Sequence, residues 1–205
     1  MPAIARSSGL PAEFAVFAVE PEQQSALVQS LIAHIESTAQ PLPGFVSGTV
    51  HRSRDGLRVT GYIQWATPDT YVATPPLADF ASPDAHLYEI FAEEPAGSQM
   101  QTFTGMEGLI NFGIFKMKAP ENQPRFVELF IQALGMVSGQ TGLISTHAHR
   151  SLDGWRCINY GHWRSLEEYA AMDCNRPFSS IFAEMLSLAD NEYQPTLHEV
   201  VFTTN

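Results

Sequence analysis

The chain has 205 residues, 44% of them hydrophobic and 11% aromatic, with 22 acidic against 11 basic side chains and a formal charge of −11. That much apolar material supports a packed core and excludes wholesale disorder, while the length allows one large domain or two small ones. An acidic surface repels phosphate backbones and anionic lipid, so neither nucleic acid nor a membrane is an expected partner. The longest apolar run, Phe14–Val19, falls far short of a spanning helix. The first 14 residues carry no apolar signal-peptide core. Two cysteines, Cys157 and Cys174, are too few for a disulfide framework. These features predict a cytoplasmic protein with free thiols.

In chain order, a strand is predicted near residues 13–19 and a helix after it. "VSGTVHRSRDGLRVTGYIQW", residues 46–65, reads as a hairpin. Asp-Gly between two β-rich runs predicts a type I′ turn, which needs positive φ at both central residues. "TPPLADFASP", residues 74–83, follows, and "AHLYEIF" closes this part as a strand. Residues 93–108, rich in glycine and small polar side chains, read as a linker.

The order then repeats. A strand is predicted near 109–117. Phe126, Leu129, Phe130, Ala133, Leu134 and Val137 recur at helical spacing and make one apolar stripe. "ISTHAHRSLDGWRCINYGHW", residues 144–163, is a second hairpin. Ser165 followed three residues later by Glu168 forms a capping box at the start of a helix. "NRPFSSIFAEML" adds a helix with Pro177 near its start, and "PTLHEVVF" is the last strand.

Slid by 98 positions, the sequence meets itself. Residues 44–73 align with 142–171 without a gap, with twelve identities in thirty, including His51/His149, Tyr62/Tyr160, Trp65/Trp163 and Tyr71/Tyr169. The same offset brings Phe14 to Phe112 and Leu31 to Leu129. The self-similarity predicts two β-α-β-β-α-β repeats, 12–95 and 108–205, joined by a linker at 96–107. The first is about twelve residues shorter, where its second helix should stand. Each repeat makes an antiparallel sheet with helices on one face. Packing the two bare faces together gives an α+β barrel with a pseudo-twofold axis.

Strand alternation places Trp155, Cys157, Asn159, Gly161 and Trp163 on one face and Arg156, Ile158, Tyr160 and His162 on the other. Asn159 and Trp163 are then roughly 13 Å apart along the strand. Tyr169, in the first turn of the next helix, reaches the same face. Large flat walls, a gap at Gly161 and a few hydrogen-bonding groups suit a planar aromatic ligand carrying polar oxygens. Trp65, Tyr71, Tyr62 and Tyr160 read first as core residues. Asn159 differs, because its match in the first repeat is Gly61, so the fold does not require an amide there.

"HRSLDGWRCINYGHWRSLEEYAAM" and "HRSRDGLRVTGYIQWATPDTYVAT" resemble the antibiotic biosynthesis monooxygenase (ABM) domain family. ABM proteins are dimers of ferredoxin-like subunits, so the resemblance implies such a dimer fused into one chain. It implies oxygenation of an aromatic polyketide, anthrone or quinol to quinone, with molecular oxygen and no cofactor. By the same resemblance Asn159 and Trp163 hold the substrate and stabilise its enolate, and Tyr169 positions or relays a proton. Trp155, Gly161, Trp65 and Tyr71 are expected to contact substrate. Gly61 departs from the family's asparagine, which makes the first repeat the degenerate half.

Other readings stay open. The chain holds no G-x-G-x-x-G, Walker A or H-E-x-x-H motif, so no cofactor and no metal are expected. His147, His149 and His162 stand on neighbouring strands and raise a zinc or copper site, although His149 matches His51 and reads as structural. A haem-degrading oxygenase would need an axial histidine on the helix after residue 174, where none stands. A non-catalytic binding barrel remains the main alternative. The partners expected are a small aromatic substrate and oxygen, with a homo-oligomer left open.

Overall fold

The computed structural model describes residues 2–77, 80–171, 176–191 and 197–205. The chain runs β1 (Ala3–Ile4), β2 (Ala12–Ala18), α1 (Gln24–His34), β3 (Phe45–Ser53), β4 (Arg58–Trp65), β5 (Asp84–Glu94), β6 (Met100–Gln101) and β7 (Leu109–Met117). It continues through α2 (Gln123–Val137), β8 (Leu143–Ser151), β9 (Arg156–Trp163), α3 (Leu166–Ala170), α4 (Arg176–Leu188), β10 (Ala189–Asn191) and β11 (Leu197–Thr204).

Eight strands are hydrogen-bonded in the order β7-β11-β3-β4-β2-β5-β8-β9, and β9 bonds back to β7, closing an antiparallel barrel. Within the circle lie two ferredoxin-like sheets, β5-β2-β4-β3 and β11-β7-β9-β8. The last strand of each crosses to the other: β5 pairs with β8, and β11 with β3. The two sheets expected to pack face to face are thus one closed sheet, which leaves no open edge among these strands. β10 adds to β7 outside the circle, and β1 pairs with β6 from the connecting segment.

The hairpins form where Asp-Gly predicts them, but with four-residue connections rather than the tight type I′ turn. Gly56 and Gly154 take φ of 83°, and the Asp55 and Asp153 carboxylates accept from the Leu57 and Trp155 backbone N–H groups. The aspartate side chain thus supplies the turn's hydrogen bond, as in an Asx-turn.

Helix contacts refine the internal match. The Gln24 and Gln123 amides make the same two bonds, to the carbonyls of Ser53 and Arg58 and of Ser151 and Arg156. The strands correspond at an offset of 98 but the helices at 99, so Leu31 corresponds to Phe130 rather than Leu129. The π turn Ile35–Ala39 that extends α1 takes in the extra residue and restores the strand register.

The barrel interior is aromatic, built on Phe14, Tyr62, Tyr88, Phe112 and Tyr160. Two histidines from matching positions cross it. His51 Nδ1–H donates to the Thr60 carbonyl while its Nε2 accepts from the Tyr160 hydroxyl at 2.6 Å. His149 Nδ1–H donates to the His147 carbonyl and its Nε2 accepts from Tyr62 at 3.3 Å. Each bond to a tyrosine joins one half of the chain to the other.

Burial above all, then the neighbouring His198 and His147, pushes the His51 and His149 imidazoles down to about 3. The unfolded chain takes up these protons near the ordinary value of 6.5, the folded chain only near 3. Each histidine therefore contributes stability that is complete above the unfolded value and lost as pH falls towards the folded one. The loss is roughly 1 kcal/mol per pH unit for each. Denaturant midpoints should fall between about pH 7 and about pH 5, and more shallowly in His149→Gln. Equal midpoints in wild type would contradict the neutral, buried pair.

Candidate active site

On the outer face of β7, β8 and β9, under α2 and α4, lies a cavity of about 430 Å³. Small-molecule sites run from roughly 300 to 1,000 Å³. Phe130, Leu134 and Val137 of α2 and Phe182, Met185 and Leu186 of α4 form an apolar roof. The sheet supplies most of the polar groups, Asn111 from β7, Thr146 from β8, and Asn159 and Trp163 from β9, and α4 adds Ser179. Tyr169 of α3 closes one end and Asn191 of β10 joins the lining. No charged side chain lines the cavity among the described residues.

Strand alternation turns Asn159 and Trp163 to this face, and Gly161 between them leaves a notch. A side chain begun at Gly161 would start 3.2 Å from Trp163 Nε1 and 3.6 Å from Asn159 Nδ2. The two nitrogens therefore lie close together beside Gly161. Thr146 is the cross-strand partner of Gly161, and its hydroxyl donates to Asn159 Oδ1.

Tyr169 is set by α3. Ser165 caps that helix by accepting from the Glu168 backbone N–H at 3.2 Å, but the expected box is not completed, because the Glu168 carboxylate bonds Arg164 instead. Gly142, at φ 87°, lets Glu168 pack where a Cβ would collide at 2.3 Å. The Tyr169 ring meets Trp163 edge-on at 5.3 Å, and its oxygen accepts from Asn111 Nδ2 at 3.3 Å.

The first half has no such cavity among the described residues. Gly48 and Gly61 stand where the second half has Thr146 and Asn159, and Ile63 where it has Gly161. Ile35 Cγ2 lies 2.8 Å from where a Gly48 side chain would begin, and Leu31 Cδ2 3.4 Å from that of Gly61. No helix covers Tyr71–Leu77, and Leu77 packs into the core instead. Trp65 is fully buried against Phe45 and Tyr71, and Tyr71 donates to Glu13 Oε1 at 3.0 Å. Glu13 occupies the position that is Asn111 in the second half, and also accepts from the Thr74 backbone and hydroxyl. Burial raises its pKa against those hydrogen bonds.

Of the residues expected at the site, Asn159, Trp163 and Tyr169 line the cavity; Gly161 does not, being buried beside the Trp163 and Asn159 side chains. Trp65 and Tyr71 do not come to it; the helix and loop side chains of the first half fill the equivalent space. Trp155 does not either. Its alternation matches Asn159, but it sits in the hairpin turn before β9 begins, 40% exposed. Asn111, Thr146 and Asn191 were not anticipated. Asn111 interrupts the apolar run 109–115, and Thr146 replaces Gly48 just as Asn159 replaces Gly61, so both carried a signal.

The three histidines are held separately. His149 is in the barrel, His147 Nε2 lies 3.4 Å from the Ser98 carbonyl oxygen, and His162 Nε2–H donates to Glu107 O at 2.9 Å. No cluster of three metal-ligating side chains occurs among the described residues. Cys157 is buried, which pushes its thiol pKa up, and Cys174 lies outside the described residues. No helix among the described residues is long and apolar enough to cross a membrane.

No family model matches the chain. Over 50 residues, 24% of its length, it is 48% identical to the tetracenomycin-F1 monooxygenase of Streptomyces glaucescens, and the match spans 45% of that enzyme. Its fold is similar to the crystal structure of an anthrone oxidase-like protein, with a TM-score of 0.83 at 17% identity, covering 99% of this chain and 96% of that one. A candidate monooxygenase from Fusobacterium nucleatum is similar at TM-score 0.59 and 8% identity, over 96% and 94% of the two chains. The fold and cavity define a ferredoxin-like α+β barrel with a neutral site on one outer face. The matched stretch is similar to just under half of a monooxygenase.

Proposed function

We propose that the protein is a monooxygenase that converts an anthrone- or quinol-like polyketide aromatic to a quinone with molecular oxygen and no prosthetic group. One observation carries this reading: the Asn159 amide nitrogen and the Trp163 indole nitrogen lie close together, on side chains that line an uncharged, aromatic-walled cavity. Such a pair suits an oxygen on which negative charge develops. The names of two similar proteins, a tetracenomycin-F1 monooxygenase and an anthrone oxidase-like protein, support the same chemistry.

Triplet oxygen reacts slowly with spin-paired substrates, but an anthrone enolate is electron-rich enough to give up one electron. The substrate CH₂ loses a proton, and the enolate oxygen lies against Asn159 Nδ2 and Trp163 Nε1. Electron transfer to oxygen gives a radical pair, which combines to a carbon–oxygen bond and, with a proton, a hydroperoxide. Loss of water leaves the quinone, with one oxygen atom in the product and one in water. Asn111 donates to the Tyr169 oxygen and so holds that hydroxyl at the end of the cavity, where it serves the proton transfers. The apolar roof excludes water while the radicals recombine.

In this reading residues 108–205 form the active repeat and residues 12–95 a degenerate one that completes the barrel, with 96–107 joining them. The tandem arrangement accounts for the matched Trp-Tyr pairs and for Gly48 and Gly61 in the first half. Trp65→Phe should keep turnover within about threefold of wild type, because it alters only packing in the filled half. Quinone formation followed by absorbance tests this. A loss larger than that caused by Asn159→Gly would place the working site in the first half.

A further inference from the structure

We propose that Thr146 is a positioning residue that turns the Asn159 amide so that its donor end faces the substrate. The inference rests on the reading of the cavity as an enolate site. A carboxamide has an acceptor end and a donor end of nearly equal size. At an enolate they have opposite effects: Nδ2–H stabilises the developing charge, whereas Oδ1 would set lone pairs against it. The site therefore needs a device that selects one orientation.

Thr146 supplies it. Its hydroxyl donates to Asn159 Oδ1, which engages the acceptor end and leaves Nδ2 towards the notch over Gly161, beside Trp163 Nε1. The register explains the reach. Thr146 lies directly across from Gly161 on the neighbouring strand, and Asn159 is two residues along, so the bond is diagonal. Any side chain at 161 would crowd this floor, and glycine leaves it open. Thr146 is itself buried, so water does not compete for its proton.

The first half shows that the two residues go together. Both are glycine there, at positions 48 and 61, and Ile35 and Leu31 fill the places their side chains would need. Neither residue is required by the strands, and neither occurs without the other.

The test compares Thr146→Val, which keeps the shape and removes the hydroxyl, with Thr146→Ser, which keeps the hydroxyl; Thr146→Ala replaces the valine variant should that one fail to fold. Two readouts are taken: steady-state oxidation of a hydroxyanthrone, and the ionisation of a bound hydroxyanthraquinone dye followed by its visible spectrum. Thr146→Val should lower kcat by roughly thirtyfold with KM within about threefold, because the lost interaction strengthens towards the transition state. It should also weaken ionisation of the bound dye by about tenfold in acid constant, one pKa unit, while the neutral dye binds as before. Thr146→Ser should restore both to within about threefold. Thr146→Val matching wild type in both readouts, or Thr146→Ser failing like Thr146→Val, overturns the proposal. A wild-type protein that favours ionisation of the dye through Thr146 but never oxidises the anthrone leaves the positioning role standing and removes the monooxygenase reading instead.

Discussion

Asn159→Gly is expected to lower turnover about a hundredfold or more while the protein still folds. The first half carries glycine at the matching position inside an intact hairpin, so the backbone tolerates it. Under the proposed mechanism, what is lost is one donor to the enolate oxygen, commonly about 2–4 kcal/mol in the transition state. The Thr146 hydroxyl loses its partner as well, which adds a modest stability cost of about 1 kcal/mol. The effect should fall on kcat, since an apolar cavity with Trp163 and Tyr169 in place still binds the flat substrate. Single-turnover kinetics with pre-bound substrate would show this directly. Unchanged turnover would mean that Asn159 is not at the reacting oxygen.

Gly161→Ile should act through shape and abolish activity with little harm to the fold. It copies Ile63, the residue at the same strand position in the filled half. Its Cβ would start 3.2 Å from Trp163 Nε1 and 3.6 Å from Asn159 Nδ2, so the rest of the side chain would crowd both donors. The substrate oxygen would then be excluded from two donors at once, so kcat/KM should drop by roughly a thousandfold. Replacing a strand glycine by a β-branched residue relieves backbone entropy and favours the strand by up to about 1 kcal/mol. The indole must shift by a few tenths of an ångström, which offsets part of that gain. The expected signature is a denaturation midpoint close to wild type with activity gone. Retained activity would show that substrate does not use the notch.

The sequence showed much of this because it states the fold twice. The 98-residue offset, the Asp-Gly turns and the N-cap at Ser165 placed the strands and the helix that carry the site. It also singled out Asn159, since an amide matched by glycine cannot be a structural necessity. Thr146 follows from the same comparison applied to the neighbouring strand. Other features were beyond local pattern. Barrel closure depends on β5 and β11 crossing to the opposite half, a long-range pairing that hydrophobic alternation does not encode. The one-residue slip between strands and helices appears only through the two glutamine contacts and the π turn. Trp155 misled because alternation fixes which way a side chain points, not whether the strand extends that far. Trp65 and Tyr71 keep the residue types of the second half, but Leu31, Ile35 and Leu77 take the space a ligand would need.

In the proposed reaction this chain directs oxygen into an aromatic substrate with its own side chains alone. Oxygen uptake by purified protein, treated with chelator and free of added flavin and haem, tests it in one measurement with a hydroxyanthrone as substrate. The account predicts consumption of one oxygen molecule per anthrone, formation of the quinone in equal amount, and loss of the enzymatic rate in Asn159→Gly. Uptake no faster than the uncatalysed background, or uptake that appears only after a metal, flavin or haem is supplied, would contradict it.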